Sequence, residues 1–228
     1  MKNVEHQGFR QRAAETKRAR TRLALVTAAR ELFEERGWRD TRLEDVAKQA
    51  GVSVPTLRNH FKSKYALVMR AYGQVVASLI EKTEGRVYDL DLDASQIISE
   101  MLKMFVSTAV KKRQLTMAVA AALLEEPLIS SEEFEDIEAV KDGGLPAIAA
   151  IFGELIEIGK REGAFNPELN ADRVSAYHIS GILLMTAMNY DITVEEAERL
   201  VLSQVMPALK AAPVSRADPD DEFDDMSV

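Results

Sequence analysis

Apolar side chains recur at three- and four-residue spacing through most of the chain, which is the pattern of amphipathic α-helices. One clear stripe precedes Gly37 and is formed by Leu23, Val26, Ala29, Leu32 and Phe33. No segment combines strict apolar–polar alternation with the β-branched enrichment of a strand. The pattern therefore predicts an all-α fold.

Glycine, proline and capping residues divide this helical pattern into elements. A short helix is expected over residues 42–50, because Gly51 follows it. Ser53 can cap the next helix, with Pro55 in its first turn. Longer helices are expected over residues 63–85, 94–112, 114–126, 131–141, 145–163, 170–190 and 194–211.

The composition excludes several classes of protein. The 228 residues include no Cys and three His, so thiolate metal sites and cysteine nucleophiles are excluded. No Glu-x-x-His pair, Gly-x-Ser-x-Gly elbow or Gly-x-x-x-x-Gly-Lys loop occurs. Apolar runs are too short for a membrane span, and no secretory h-region follows the basic start. We expect a cytoplasmic protein that is not an enzyme, with no metal, no cofactor and no membrane partner.

Charge is distributed unevenly along the chain. Residues 1–72 contain 16 Lys and Arg against 8 Asp and Glu, whereas the remaining residues contain 13 against 29. A basic first part followed by an acidic second part suggests two functions, one of them with a polyanion.

The segment TRLEDVAKQAGVSVPTLRNHF has the features of a helix-turn-helix. Ala47 is small enough for a close helix crossing, and Gly51 can take the positive φ of the turn. The inward positions are all apolar: Val46, Ala50, Val52, Leu57 and Phe61. The second helix then exposes polar groups that can reach base edges and phosphates in a major groove.

The longer segment RTRLALVTAARELFEERGWRDTRLEDVAKQAGVSVPTLRNHFKSKYAL resembles the DNA-binding domain of TetR-family transcriptional regulators. The resemblance rests on the Ala-Ala and Leu-Phe pairs of the first helix, the Gly37-Trp38 step, Thr41, VAKQAGVS, TL, HF and SK in that order. It covers about residues 20–70. It implies an N-terminal three-helix DNA-binding domain followed by a larger helical ligand-binding and dimerisation domain.

The resemblance also assigns individual residues to DNA. Thr41 and Arg42 would contact the backbone or a base, and Lys64 would bind a phosphate. The recognition helix would present Val54, Pro55, Thr56, Arg58, Asn59 and His60. The family usually has tyrosine at position 58, where Arg58 can contact a phosphate or read a guanine bidentately.

Four segments follow from these patterns. We expect a flexible basic arm over 1–19, the helix-turn-helix domain over 20–68, the ligand-binding and dimerisation domain over 69–212 and a disordered acidic tail over 213–228. The arm either contacts DNA, through phosphates or a minor groove, or only solubilises the chain. Beside a helix-turn-helix we favour DNA contact.

A ligand region is expected on two successive amphipathic helices of the larger domain. Met adapts to irregular shapes, and TetR-like proteins enclose a small-molecule cavity in this domain. The candidate residues are Met101, Met104, Phe105, Thr108, Met117 and Ala121, with Phe134, Tyr177 and His178 as neighbours. Each could instead be ordinary core, and a lone His on an apolar helix is more often a core residue.

Two further helices are unusually apolar and rich in small residues. One carries Ile148, Ile151, Phe152, Leu155 and Ile158, and the other carries Ile179, Ile182, Leu183 and Thr186. Both stripes could be core, but the corresponding helices of the family pair across a twofold axis. Two copies would also place recognition helices about 34 Å apart on one duplex. We therefore expect a homodimer.

The expected function is a homodimeric transcriptional regulator, a repressor that a small apolar ligand releases from a palindromic double-stranded DNA operator. One alternative is an architectural or constitutive DNA-binding protein with no small-molecule effector. Another is an all-helical enzyme with an incidental basic segment, for which the sequence offers no catalytic set.

Overall fold

The computed structural model describes residues 2–86, 92–125 and 145–210, and these residues form helices joined by short connections. The helices are α1 (Lys2–Asp40), α2 (Leu43–Gln49), α3 (Val54–His60), α4 (Lys64–Arg86), α5 (Ala94–Lys111), α6 (Arg113–Glu125), α7 (Leu145–Arg161), α8 (Ala171–Met188) and α9 (Val194–Lys210). No strand occurs in these three segments, so the predicted all-α fold is confirmed for them. The predicted helix over 131–141, Phe134 and the acidic tail over 213–228 lie outside the described residues.

The helix α1 supplies the largest part of the N-terminal core. Its buried side chains include Leu25, Val26, Ala29, Leu32 and Phe33, whereas Leu23 of the predicted stripe is 60% exposed. Gly37 interrupts the helix with a φ of 71°, as its position at the end of the stripe suggests. Trp38 follows and stacks on Phe33, with ring centroids 5.9 Å apart.

The basic segment before this core is helical, which corrects the expectation of a flexible arm over 1–19. Residues 2–19 continue α1 without a break. Most of them are good helix formers such as Arg, Lys, Gln, Glu and Ala. Extending a helix that is already anchored by packing requires no new nucleation, so this polar sequence can remain helical.

The helix α4 belongs to both parts of the molecule. It packs against α1 and also against α5, α6 and α7. Tyr72 on α4, Phe105 on α5 and Phe152 on α7 are fully buried in one continuous core. The boundary expected at residues 68–69 therefore falls inside a single helix rather than in a linker.

The helices α7 and α8 pack against each other, and α9 packs mainly against α5. The stripes expected at a dimer interface are instead used in this packing. Ile148, Phe152 and Leu155 of α7 are fully buried within the chain, and Ile151 is 8% exposed. The α8 stripe of Ile179, Ile182, Leu183 and Thr186 is buried as well. A partner would have to use other faces of these helices.

The helix α6 is tied to the corner between α8 and α9. The Arg113 guanidinium donates hydrogen bonds to the carbonyls of Thr186, Asn189 and Ile192. Two of these carbonyls end α8, where backbone oxygens lack partners within the helix. One side chain thus caps α8 and fixes its position on α6.

Candidate nucleic-acid interface

The turn between α2 and α3 has the geometry that the sequence predicts. Gly51 has a φ of 69°, and a Cβ there would meet nothing within 4 Å. The backbone N–H of Val52 donates to the Ala47 carbonyl at 2.9 Å and closes the turn. Ser53 then caps α3 by accepting from the Thr56 N–H at 3.3 Å. The small residue, the glycine and the cap together fix the angle between the helices.

The helix α3 is attached to the core through one side. Leu57 is fully buried and Phe61 nearly so, while Val52 and Val54 are partly buried against the same core. The opposite side presents Pro55, Arg58 and Asn59 to solvent, with Thr56 and His60 half-buried beside them. Most of the predicted recognition residues are therefore accessible on one face.

His60 lies near the basic part of α1. Burial lowers the pKa of the imidazole, and the charges of Arg18 and Arg22 lower it further. The neutral form is therefore favoured at neutral pH, with one nitrogen as donor and the other as acceptor. The same observation places Arg18 and Arg22 on the side of the molecule where α3 ends.

Thr41 has a different role from the one expected. Its side chain is 1% exposed, and its hydroxyl donates to the Gly37 carbonyl at 2.8 Å and lies 3.2 Å from the Leu32 carbonyl. The hydroxyl thus serves as a hydrogen-bond donor to carbonyl groups of α1. It is unavailable for a DNA contact in this conformation. Arg42 follows at the start of α2 and is exposed.

Lys64 is held by Trp38 rather than extending freely. Its ammonium donates to the Trp38 carbonyl and lies 4.3 Å from the centroid of the indole ring. Burial lowers the pKa of this ammonium, whereas the nearby carboxylates of Glu125 and Asp40 raise it. The lysine expected to contact a phosphate is therefore positioned by neighbours from both parts of the molecule.

The same helix-turn-helix is recognised in comparisons with known proteins. Residues 25–71 match the family model described as bacterial regulatory proteins, tetR family. This part of the chain is therefore similar to the DNA-binding domain of tetR-family regulators. The predicted resemblance and fold class are confirmed.

Curated relatives extend the similarity beyond this domain. The HTH-type transcriptional regulator RutR of Escherichia coli (strain K12) is 24% identical over 212 residues, which cover 90% of this chain and 97% of RutR. UidR of the same strain is 23% identical over 159 residues, which cover 68% of this chain and 74% of UidR. Both relatives are named as regulators rather than enzymes.

Solved structures share the fold of this chain. FadR of Thermus thermophilus, a TetR-family repressor in complex with lauroyl-CoA, aligns with a TM-score of 0.66 and 17% identity, covering 86% of this chain and 99% of FadR. FadR of Bacillus subtilis in complex with stearoyl-CoA aligns with a TM-score of 0.58 and 19% identity, covering 81% and 97%. At these identities the likeness establishes the arrangement of helices. Among the described helices, none is both long and apolar enough to cross a membrane.

The predicted ligand residues occupy separate places in the structure. Met101 and Phe105 are fully buried among core side chains, and Met117 and Ala121 on α6 are partly buried. Met104 and Thr108 line an open groove of about 290 Å³ that also includes Lys82, Lys103 and Glu198.

Tyr177 and His178 line a different groove, about 660 Å³ in volume, between α8 and α9. Tyr177 is 75% exposed. Burial lowers the pKa of His178, whose ring lies edge-on to Tyr177 with centroids 5.3 Å apart. The two grooves share no residue, so the predicted set is not assembled around one cavity here.

The sequence analysis missed the α9 side of the larger groove. Leu200, Gln204 and Ala208 recur at four-residue spacing and line it opposite α8. No feature of the α9 sequence other than this spacing distinguishes them as groove residues. The small residues Ser180 and Gly181 complete the α8 wall.

Proposed function

We propose that this TetR-family protein is a homodimeric repressor that binds a palindromic DNA operator and is released from it by a small apolar ligand. The observation that carries the proposal is the exposed face of α3, where Arg58 and Asn59 project from a helix fixed by the Gly51 turn. Rigid mounting matters because a side chain discriminates between bases only if it keeps its orientation.

Two kinds of contact are proposed on this surface. Asn59 and Arg58 would read base edges, since an amide can pair bidentately with adenine and a guanidinium with guanine. Lys64, Arg42 and the basic residues of α1 would contact phosphates and fix the orientation on the duplex. Thr41 would act indirectly, by holding the end of α1 against the start of α2.

The homodimer is proposed to form through the outward faces of α8 and α9. Tyr177 and Met188 on α8 are 75% and 81% exposed, and Leu200 on α9 is 42% exposed. Ser180 and Gly181 lie between them and would let a partner helix approach closely. An apolar face with small residues is suited to helix pairing, and a twofold axis would make it self-complementary.

The effector is proposed to act in the α5–α6 region, with Met101, Met104, Phe105, Thr108 and Met117 as candidate contacts. The two FadR structures contain lauroyl-CoA and stearoyl-CoA. The structure of RolR, which aligns with a TM-score of 0.58, contains resorcinol. These ligands all contain a substantial apolar part. The helix α4 packs against α5 and α6, and its first residue, Lys64, is a proposed DNA contact. A ligand between α5 and α6 would therefore move α4 and change the spacing of the two recognition helices.

The complete burial of Met101 and Phe105 favours the second candidate, a constitutive DNA-binding protein with no effector. A thermal-shift screen against apolar carboxylates, phenols and acyl thioesters, repeated on the DNA complex, distinguishes the two. An effector should stabilise the free protein and weaken the complex. A constitutive binder should respond in neither form.

The DNA interaction is tested by selecting bound duplexes from a randomised pool with wild-type protein and with Asn59→Ala. We expect a palindromic consensus for the wild type and relaxed preference at one position of each half-site for the variant, costing about 1–3 kcal/mol against the preferred base. Glu154→Ala removes an exposed polar side chain of α7, a helix assigned to neither proposed surface, and should leave the consensus unchanged. Absence of any sequence preference in the wild type would contradict the proposal.

A further inference from the structure

Trp38 lies between a residue of the larger domain and the lysine proposed to contact DNA. The indole N–H donates to the Glu125 carboxylate at 2.6 Å. The face of the same ring lies 4.3 Å from the Lys64 ammonium, and the Trp38 carbonyl accepts a hydrogen bond from that ammonium. Glu125 is the last residue of α6, and Lys64 is the first residue of α4. One side chain thus connects the ends of two helices.

The indole of Trp38 is 7% exposed and belongs to the continuous core. Phe33 stacks on the ring, with centroids 5.9 Å apart. The bond to Glu125 adds a directional restraint, because it specifies where the N–H points. The other carboxylate oxygen of Glu125 is 3.8 Å from Arg39, so the same residue also neutralises a cation that follows Trp38.

A lysine on four rotatable bonds has to lose conformational freedom before it binds a phosphate. Here the ring and the carbonyl of Trp38 hold the ammonium near one position, and one of its three donors is used in doing so. The remaining donors can meet an incoming phosphate without further ordering of the side chain. Correct placement of the indole therefore translates into affinity for DNA.

We propose that Glu125 is a positioning residue for Lys64, acting through the indole of Trp38, and that the last turn of α6 thereby controls a phosphate contact. The inference rests on the proposed function, since it assigns regulation to one of the proposed DNA contacts. It makes the phosphate contact sensitive to the position of α6.

The helix α6 is well placed to carry such a signal. At its first residue, Arg113 binds the carbonyls at the end of α8 and in the following connection. Beside it, Lys112 forms an ion pair with Glu34 of α1 at 3.0 Å. A displacement of about 1 Å along α6 would exceed the tolerance of the short Trp38–Glu125 bond and release the ring.

The test compares variants of the full-length protein on a duplex that the wild type selects from a randomised pool. Lys64→Ala removes one proposed phosphate contact from each subunit of the dimer, so it should reduce affinity roughly 100-fold and lower the salt slope by about two phosphates. Glu125→Ala should give a similar loss of affinity and the same change in salt slope, although Glu125 carries the opposite charge. Glu125→Gln keeps an oxygen that can accept the indole bond and should retain most of the wild-type affinity.

The double variant Lys64→Ala/Glu125→Ala decides whether the two residues act together. Positioning predicts that the double variant binds no more weakly than Lys64→Ala alone, because the contact that Glu125 supports has already been removed. Glu34→Ala serves as a matched control, since it breaks the ion pair between α1 and Lys112, the residue before α6, and should leave the salt slope unchanged. Thermal unfolding of each variant separates loss of folded protein from loss of contact.

Trp38 is the only tryptophan of the chain, so the tryptophan fluorescence of the protein reports on the environment of this indole. Glu125→Ala should change the emission of the free protein, and Glu125→Gln should change it less. Additive losses in the double variant, or tighter binding by Glu125→Ala, would overturn the positioning role while leaving DNA binding intact. Failure of the wild type to select any DNA would instead reject the proposed function. The fluorescence comparison would still test the contact between Glu125 and Trp38, because it is made on the free protein.

Discussion

The outward faces of α3 and α8 differ in chemistry although both helices are anchored by buried apolar side chains on the other side. On α3 the exposed residues are Pro55, Arg58 and Asn59, and charged residues of α1 lie nearby. On α8 the exposed residues include Tyr177 and Met188, with small residues between them. The first face is rich in hydrogen-bonding groups and the second is mostly apolar.

This difference indicates two kinds of partner. Hydrogen-bonding groups on a rigid helix lose little by remaining in water, and they gain by pairing with a surface that is itself polar and charged. Exposed tyrosine and methionine gain most by exclusion of water, which a second protein surface provides. The proposed assignments, DNA for α3 and a second copy for α8, can be tested against each other.

The strongest test of this contrast places a charge on the apolar face. Tyr177→Glu should weaken self-association by a factor of about 100 or more, because an unpaired charge buried in an interface costs about 3 kcal/mol or more. Sedimentation analysis measures the change. Leu23→Glu introduces the same charge at an apolar residue of α1 that is 60% exposed, and it should leave the association state unaltered. If the two variants self-associate equally, α8 does not form the interface.

The turn before α3 can be tested by its backbone alone. Gly51→Val should destabilise the protein by about 2 kcal/mol, because a β-branched residue is strained at a φ of 69°. No clash contributes, since the space around a Cβ there is empty. Gly51→Asn should cost less, because Asn tolerates positive φ. Denaturant unfolding of the two variants compares them, and equal costs would point to a cause other than strain.

The link between the two regions can be weakened at Arg113. Arg113→Ala leaves three carbonyls without their donor and should cost about 2 kcal/mol of stability. Arg113→Lys should recover only part of this loss, because an ammonium lacks the planar fork that reaches all three oxygens. Calorimetric unfolding measures both. Full recovery with lysine would show that charge alone holds the corner.

The smallest expected effect concerns His178 on α8 and the dependence of stability on pH. Burial lowers the pKa of His178, so its contribution to stability is complete above the ordinary value of about 6.5 and declines as the pH falls below it. His178→Gln should therefore reduce the loss of thermal stability on acidification. His60 has a lowered pKa as well, so part of the pH dependence should persist in the variant. An identical decline of thermal stability in wild type and variant would show that His178 does not contribute to the pH dependence.

Features that depend on neighbours in sequence could be predicted. The Gly51 turn, the Ser53 cap and the helix bounds of the larger domain follow from local rules, and the bounds of the described helices differ from the expected ones by at most two residues. Apolar periodicity correctly showed that the stripe around Phe152 is buried. It could not show whether the stripe is buried within one chain or between two, because both give the same spacing.

The directions of individual side chains could not be predicted from the sequence either. Thr41 and Lys64 occupy the expected positions at helix starts, but one hydroxyl points into the core and one ammonium is held by Trp38. Polar composition likewise could not distinguish a flexible arm from a helix that continues an anchored one. In each instance a contact distant in sequence decides the outcome.

The length of α1 has a mechanical consequence. About 34 regular residues precede Gly37, and at 1.5 Å each they extend for about 50 Å. A tilt of only about 10° at the end held by Trp38 would move the opposite end by about 9 Å, more than the separation of successive phosphates along a strand. In the proposed DNA complex, the position of the N-terminus would therefore amplify small rotations of α1 near the centre of the molecule.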